Sequence, residues 1–179
     1  MNKIFNTDYK PVRRIVTGHN EVGESIFTSD GDTPNVLAQP GKPVAQVVWA
    51  TGAGRAVGFD PAPAGHKFGF HSDKGSLLRI VDFPPDEVYD QEKLVEFLDS
   101  EGVRDKNKPR HFWFHKTESL DYAVVLEGEI VAMMDHGETV MRPGDVLVQR
   151  ATNHSWSNRS KHNCRMLFVL LALQEGEEL

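Results

Sequence analysis

Hydrophobic positions in this chain recur mostly at intervals of two, in short runs closed by glycine, proline, asparagine or aspartate. That is the signature of antiparallel strands with one face on a core. The pattern predicts strands over residues 11–17 and 24–29 around a loop at 18–23, then over 44–50 and 76–83, the last stopped by Pro84-Pro85. Beyond residue 110 the runs crowd together. They cover 111–115, a second strand that ends at Glu127-Gly128-Glu129, then 130–134, 139–141, 146–149, 155–157 and 165–173. The final run has almost no polar residue after Arg165, so both of its faces are expected to be buried, in a sandwich interior or a dimer interface. Helical spacing shows in one place: Leu94, Val95, Phe97 and Leu98 form an apolar stripe over 91–100, with Asp90 as N-cap and Gly102 as stop. Residues 1–10 read as a polar arm, 30–42 as a loop, 51–76 as an extended surface loop placed to cover a barrel mouth, and 174–179 as an acidic tail.

Many short strands joined by turn signals give an all-β fold, an antiparallel double-sheet jelly roll with one short helix. The N-terminal strands would extend one sheet or swap onto a second subunit. The 179 residues make a single domain, with N-terminal strands, loop and helix over 1–110 and the barrel core over 111–173. A domain of that size needs no disulfide or structural metal, so a bound metal would be functional. The one cysteine, Cys164, opens an apolar strand and reads as a small buried hydrophobe in a reducing compartment. A net charge of −6 without Lys/Arg clusters argues against nucleic acid as a partner. No N-terminal apolar stretch resembles a signal peptide and no run reaches the length of a membrane span, so a soluble cytoplasmic protein is expected.

Strand alternation turns the central stretch into a site hypothesis. His111, Trp113 and His115 would share one face, and Asp121 would share another with Ala123 and Val125; His154, Trp156 and Asn158 lie together in a later segment. If these faces all point into one barrel, two imidazoles and a carboxylate converge on a divalent metal, leaving positions open for water, substrate or dioxygen. Tyr122, of opposite parity, is expected to pack between sheets.

The same segments resemble the paired motifs of the cupin superfamily, G-x5-H-x-H-x3,4-E-x6-G and G-x5-P-x-G-x2-H-x3-N. His115 falls on the first histidine, Asp121 on the glutamate, and His154 with Asn158 on the H-x3-N ending. Thr117 stands where the second histidine would be, Pro109 at the first glycine, and Gln149 and Ala151 at the later proline and glycine. The wording HKTESLDYAVVLEGEI with GDVLVQRATNHSWSN also resembles a group of single-domain bacterial and fungal cupins. The resemblance implies a double-stranded β-helix barrel, a homodimer, and a divalent metal (Fe, Mn, Ni or Zn) at His115, Asp121 and His154.

Each candidate also has a plainer role. The histidines could be hydrogen-bonded core residues, Asp121 a turn cap, and Trp113 and Trp156 packing rather than stacking partners for a planar substrate. His111, Trp113, Thr117, Trp156 and Asn158 complete the candidate pocket, with His111 as an outer ligand, proton shuttle or rim residue. Arg79 and Arg150 are candidate anchors for an acidic substrate, and Arg13-Arg14 reads as solvated strand charge. The expected function is a metal-dependent enzyme acting on a small oxygenated or aromatic carbonyl or carboxylate compound, by decarboxylation, isomerisation, hydrolysis or oxygenation. The alternative is a non-catalytic small-molecule-binding module with a degenerate metal site.

Overall fold

The computed structural model describes residues 9–52, 60–71, 74–106 and 110–173. Among these residues eleven strands and one α-helix follow in the order β1 (Arg13–His19), β2 (Ser25–Asp32), β3 (Asn35–Leu37), β4 (Val44–Ala50), β5 (Ser76–Phe83), α1 (Gln91–Ser100), β6 (Ser119–Glu127), β7 (Ile130–Met134), β8 (Glu138–Met141), β9 (Val146–Arg150), β10 (His154–Ser157) and β11 (Cys164–Ala172). A single 3₁₀ turn at Asp86–Val88 precedes the helix.

The strands form the expected antiparallel double-sheet jelly roll. The larger sheet runs β3-β4-β5-β11-β6-β9 and the smaller β10-β7-β8, while β1 and β2 make a separate hairpin. β11 sits between β5 and β6. Its apolarity therefore follows from a central position in the sheet: Cys164, Met166, Phe168 and Leu170 enter the core, while Leu167, Val169 and Leu171 are half-buried. Facing them from the smaller sheet are Ile130, Ala132, Met141 and Trp156. At the β6–β7 turn Gly128 has φ +80°, and a Cβ there would stand 2.7 Å from the Asn163 carbonyl oxygen, so only glycine fits.

The helix forms as its sequence requires. The Asp90 side chain accepts from the Lys93 N–H, Leu94 and Leu98 are fully buried, and Gly102 (φ +70°) follows its end. The buried stripe packs against Tyr89 and Trp113, which ties the helix to the segment leading into the site.

Several expectations are corrected. Residues 111–115 are a turn, closed by the Phe114 N–H donating to the His111 carbonyl (3.3 Å). The run of large apolar residues that imitates a strand instead splits between two clusters: Trp113 packs with Tyr89, Leu94 and Leu98, and Phe114 with Val131 and Met133. His111 and His115 consequently do not share a face. β3 lies inside the predicted loop 30–42, held by Asn35, whose Nδ2 donates to the carbonyls of Pro63 (2.7 Å) and His66 (2.8 Å). Arg13 and Arg14 do take opposite faces, but Arg14 is buried and makes a two-point bond to Asp60 (2.9 and 2.6 Å) rather than standing in solvent. Tyr122 is exposed on the outer face of the larger sheet instead of packing between sheets. The N-terminal arm to Asp8, part of the 51–76 loop, and the acidic tail lie outside the described residues.

Candidate functional site

Between the two sheets lies a cavity of about 470 Å³, within the range of small-molecule sites. One wall is the inner face of the larger sheet. Leu77, Leu170, Asp121 and Gln149 stand side by side across β5, β11, β6 and β9. In the neighbouring row Arg79 is paired with Phe168, which is paired with Ala123. The opposite wall is formed by His154 and Trp156 of β10 together with Trp113 and His115. Residues 65–70 of the predicted cover loop also line the cavity, with His66 and Lys67 exposed at its edge.

His115 and His154 are brought together by the backbone. The His115 N–H donates to the His154 carbonyl (2.9 Å) and the His154 N–H to the His115 carbonyl (3.0 Å), so the two residues form one closely paired antiparallel bridge. Their rings stand 4.2 Å apart, centre to centre. Nδ1 of His115 lies 2.6 Å from the Trp113 carbonyl oxygen and Nδ1 of His154 2.9 Å from that of Thr152. A carbonyl can only accept, so each Nδ1 carries the proton and each Nε2 keeps its lone pair. Burial holds both rings neutral: it pulls the pKa of His115 down to about 4, and burial, with the unfavourable prospect of two adjacent imidazolium charges, pushes His154 well below its ordinary value.

Asp121 enters from the facing sheet and is buried. Ser119 Oγ donates to its Oδ1 (2.6 Å), while Thr117 Oγ1 and Gln149 Nε2 lie 3.4 Å from its Oδ2. Burial raises the pKa of this carboxyl, against the hydrogen bond from Ser119 and the charge of Arg79. Gln149 stands between the acid and the imidazoles, its Nε2 being 2.6 Å from Nδ1 and 2.9 Å from Nε2 of His154. Since Nδ1 is already a donor, the amide N–H is directed to the Nε2 lone pair. The amide oxygen of Gln149 is buried without a hydrogen-bond partner.

Trp113, Thr117 and Trp156 all line the cavity as expected, whereas His111 and Asn158 do not. Nε2 of His111 lies 3.1 Å from Asp86 Oδ2 and its Nδ1 2.7 Å from Ser155 Oγ. That serine–histidine–aspartate alignment imitates a hydrolytic triad, but Ser155 is completely buried and absent from the cavity wall, so no substrate carbonyl can reach it. Asn158 is a structural clamp: its Nδ2 donates to the carbonyls of Phe83 and His162 (both 2.8 Å) and its Oδ1 accepts from the Ser160 N–H and hydroxyl. Gln149 is the site residue that sequence reading passed over. Its signal was the parity it shares with Leu147 in an otherwise apolar run.

A divalent metal at this site would draw on the Nε2 lone pairs of His115 and His154, the latter after displacing the Gln149 amide. The third donor is less simply placed. Among the described residues no group of three or more His, Cys, Asp and Glu side chains is positioned to hold a metal ion. The carboxylate is engaged by Ser119 and approached by Thr117 and Gln149, and the unpartnered Gln149 oxygen is the other oxygen donor at hand.

Residues 105–170 match the model of the Cupin domain family. The cupin-domain-containing oxidoreductase fogC of Aspergillus ruber is 32% identical over 186 residues, covering 93% of this chain and 78% of that protein. Oryzines biosynthesis cluster protein J of Aspergillus oryzae is 30% identical over 185 residues, covering 100% of this chain and 95% of that protein. Phomopsin biosynthesis cluster protein C' of Diaporthe leptostromiformis is 57% identical over 100 residues, which cover 54% of this chain and 40% of that protein. Among solved structures, a cupin superfamily protein from Desulfitobacterium hafniense aligns over 58% of this chain and 73% of that chain, with a TM-score of 0.38 and 14% identity.

Proposed function

The chain belongs to the cupin family, and on that premise we propose that it is a small-molecule enzyme of oxidoreductase type whose chemistry takes place at the His115–His154 pair. The observation that carries the reading is the pair itself: two buried neutral imidazoles, locked in one tautomer by carbonyls two residues upstream, each keeping an Nε2 lone pair, that of His154 meeting the Gln149 amide until a ligand displaces it. Hydrogen bonds to the distal ring nitrogen are the usual device for aiming a metal-ligating histidine. The relatives named as oxidoreductases support the reaction class.

His115 and His154 would hold a divalent ion of the Fe, Mn, Ni or Zn kind through Nε2, with Asp121 or the Gln149 oxygen as third donor. When bound, such an ion supplies Lewis acidity or, if iron, one-electron chemistry with dioxygen. The chain itself does the rest. Trp113, Trp156, Phe83 and Phe168 wall the cavity with aromatic surface that excludes water and lies flat substrates along its faces. Ser119 fixes the orientation of Asp121, and a carboxyl whose pKa is raised by burial can take up or release a proton nearer neutrality than a solvated one.

A second reading, a non-catalytic binding module, is favoured by Thr117 in place of an imidazole and by the hydrogen bonds that already occupy Asp121. Elemental analysis separates the two, on protein purified without a histidine tag and compared with His115→Ala and His154→Ala. Enzyme chemistry at this pair requires about one ion per chain in the wild type, lost in both variants while their thermal transitions stay cooperative. A wild type that is metal-free and takes up none of Fe(II), Mn(II), Ni(II) or Zn(II) selects the binding module.

A further inference from the structure

Arg79 carries a positive charge to the wall of the cavity. It leaves the inner face of β5, and its guanidinium reaches the carbonyl oxygens of Gly69 (3.3 Å) and Phe70 while lying 6.0 Å over the Phe70 ring. No carboxylate makes an ion pair with it among the described residues. Asp121 feels its charge, yet the hydrogen bonds of that carboxylate come from Ser119, Thr117 and Gln149 and none comes from Arg79. Desolvation pulls the guanidinium pKa down to about 10, the direction expected of a cation without a close counter-ion.

The half-buried Arg79 differs from the two arginines that are buried outright. Arg14 meets both oxygens of Asp60, and Arg165 meets both oxygens of Asp82 at 2.7 Å. An unpaired guanidinium with unused donors, on the wall of a cavity, is an anion site waiting for its ligand. The surrounding charge agrees. In a chain of net charge −6, the cavity lining carries Arg79, Lys42 and Lys67 against Asp121 and Glu101. Phe68, Phe83, Trp113, Trp156 and Phe168 supply aromatic surface around that charge.

We propose that Arg79 binds the carboxylate of a small aromatic acid, whose ring lies among these aromatic side chains and whose far end faces His115 and His154. The inference deepens the functional reading and rests on it for the role of the histidines, but not for the binding step. A planar fork of donors meets a carboxylate at two points, which fixes the direction in which the acid enters as well as its charge. Arg79, His115 and His154 line the same cavity, so the anchor and the imidazole pair face one ligand.

The test is calorimetric titration of the full chain, held in chelator, with benzoate, phenylacetate and 2-naphthoate and with the neutral amide of each. At least one acid should bind the wild type, about tenfold or more tighter than its amide. Arg79→Met should lose about tenfold or more for that acid while leaving the amide unchanged, and Arg79→Lys should fall between them because it keeps the charge but loses the fork. The His115→Ala and His154→Ala proteins should still bind the acid. Failure of the metal reading therefore leaves this proposal standing, and its own failure leaves the metal reading intact. Equal affinity of acid and amide, undiminished acid binding by a folded Arg79→Met protein, or no acid binding by the wild type would each overturn it.

Discussion

The two faces of the larger sheet treat arginine in opposite ways. On the outer face, Arg165 and Asp82 are direct cross-strand neighbours on β11 and β5, both buried, and joined at two points. The chain from Lys10 covers them: the Lys10 carbonyl accepts from Arg165 and from Gln46, and Gln46 accepts from the Val12 N–H. On the inner face, three residues along the same strand, Arg79 has, among the described residues, two carbonyls and an open cavity. A charge that serves the fold arrives with its counter-charge in the next strand. A charge left with a cavity for a partner is available to a ligand.

Three perturbations would break or sharpen this contrast. The largest effect is expected from Asp82→Ala, which strands a buried guanidinium and should lower unfolding free energy by about 3–5 kcal/mol in denaturant titration. Next comes acid. In metal-free protein the folded pKa of His115 lies near 4 against 6.5 for a free histidine, and His154 is displaced in the same direction. The unfolded chain therefore binds these protons first, so stability is full above about pH 6.5 and falls as pH drops towards 4, by roughly 3 kcal/mol for His115 alone. Asp121 works with opposite sign, since its raised pKa lets the folded state take a proton earlier. His115→Gln should flatten the slope measured by denaturant titration at several pH values, and an unchanged slope would refute the assignment. The smallest effect is expected from Arg79→Met, whose unfolding free energy should stay within about 1 kcal/mol of wild type, because removing a half-buried charge without a counter-ion offsets the two lost hydrogen bonds. A loss as large as that of Asp82→Ala would make Arg79 structural.

What could be read from the sequence followed the reach of local physics. The helix was legible because its cap, stripe and stop lie within a dozen residues, Asp90 to Gly102. The bounds of β4 and β5 were legible for the same kind of reason, a clean apolar run ended by turn residues. Residues 111–115 misled because consecutive aromatics satisfy a strand pattern, while their burial against two different clusters is a tertiary fact. His115, Asp121 and His154 were found through motif spacing, and the fold does bring all three to one cavity. Which hydrogen bonds would engage Asp121 was not legible, since Gln149 reaches it only through the pairing of β6 with β9. The lack of an ion pair to Arg79 among the described residues likewise depends on where distant carboxylates end up, and no spacing along the chain encodes that.

The bridge between His115 and His154 has a consequence for how faults would show themselves. Because both amide protons are spent in a reciprocal pair across two otherwise separate stretches of chain, the spacing of the rings belongs to the main chain and not to the side chains. A one-residue slip of either stretch would turn one imidazole to the far side of the sheet and abolish the pair outright. The site is thus all-or-none in register, and amide hydrogen exchange at these two positions would time its opening with no ligand present.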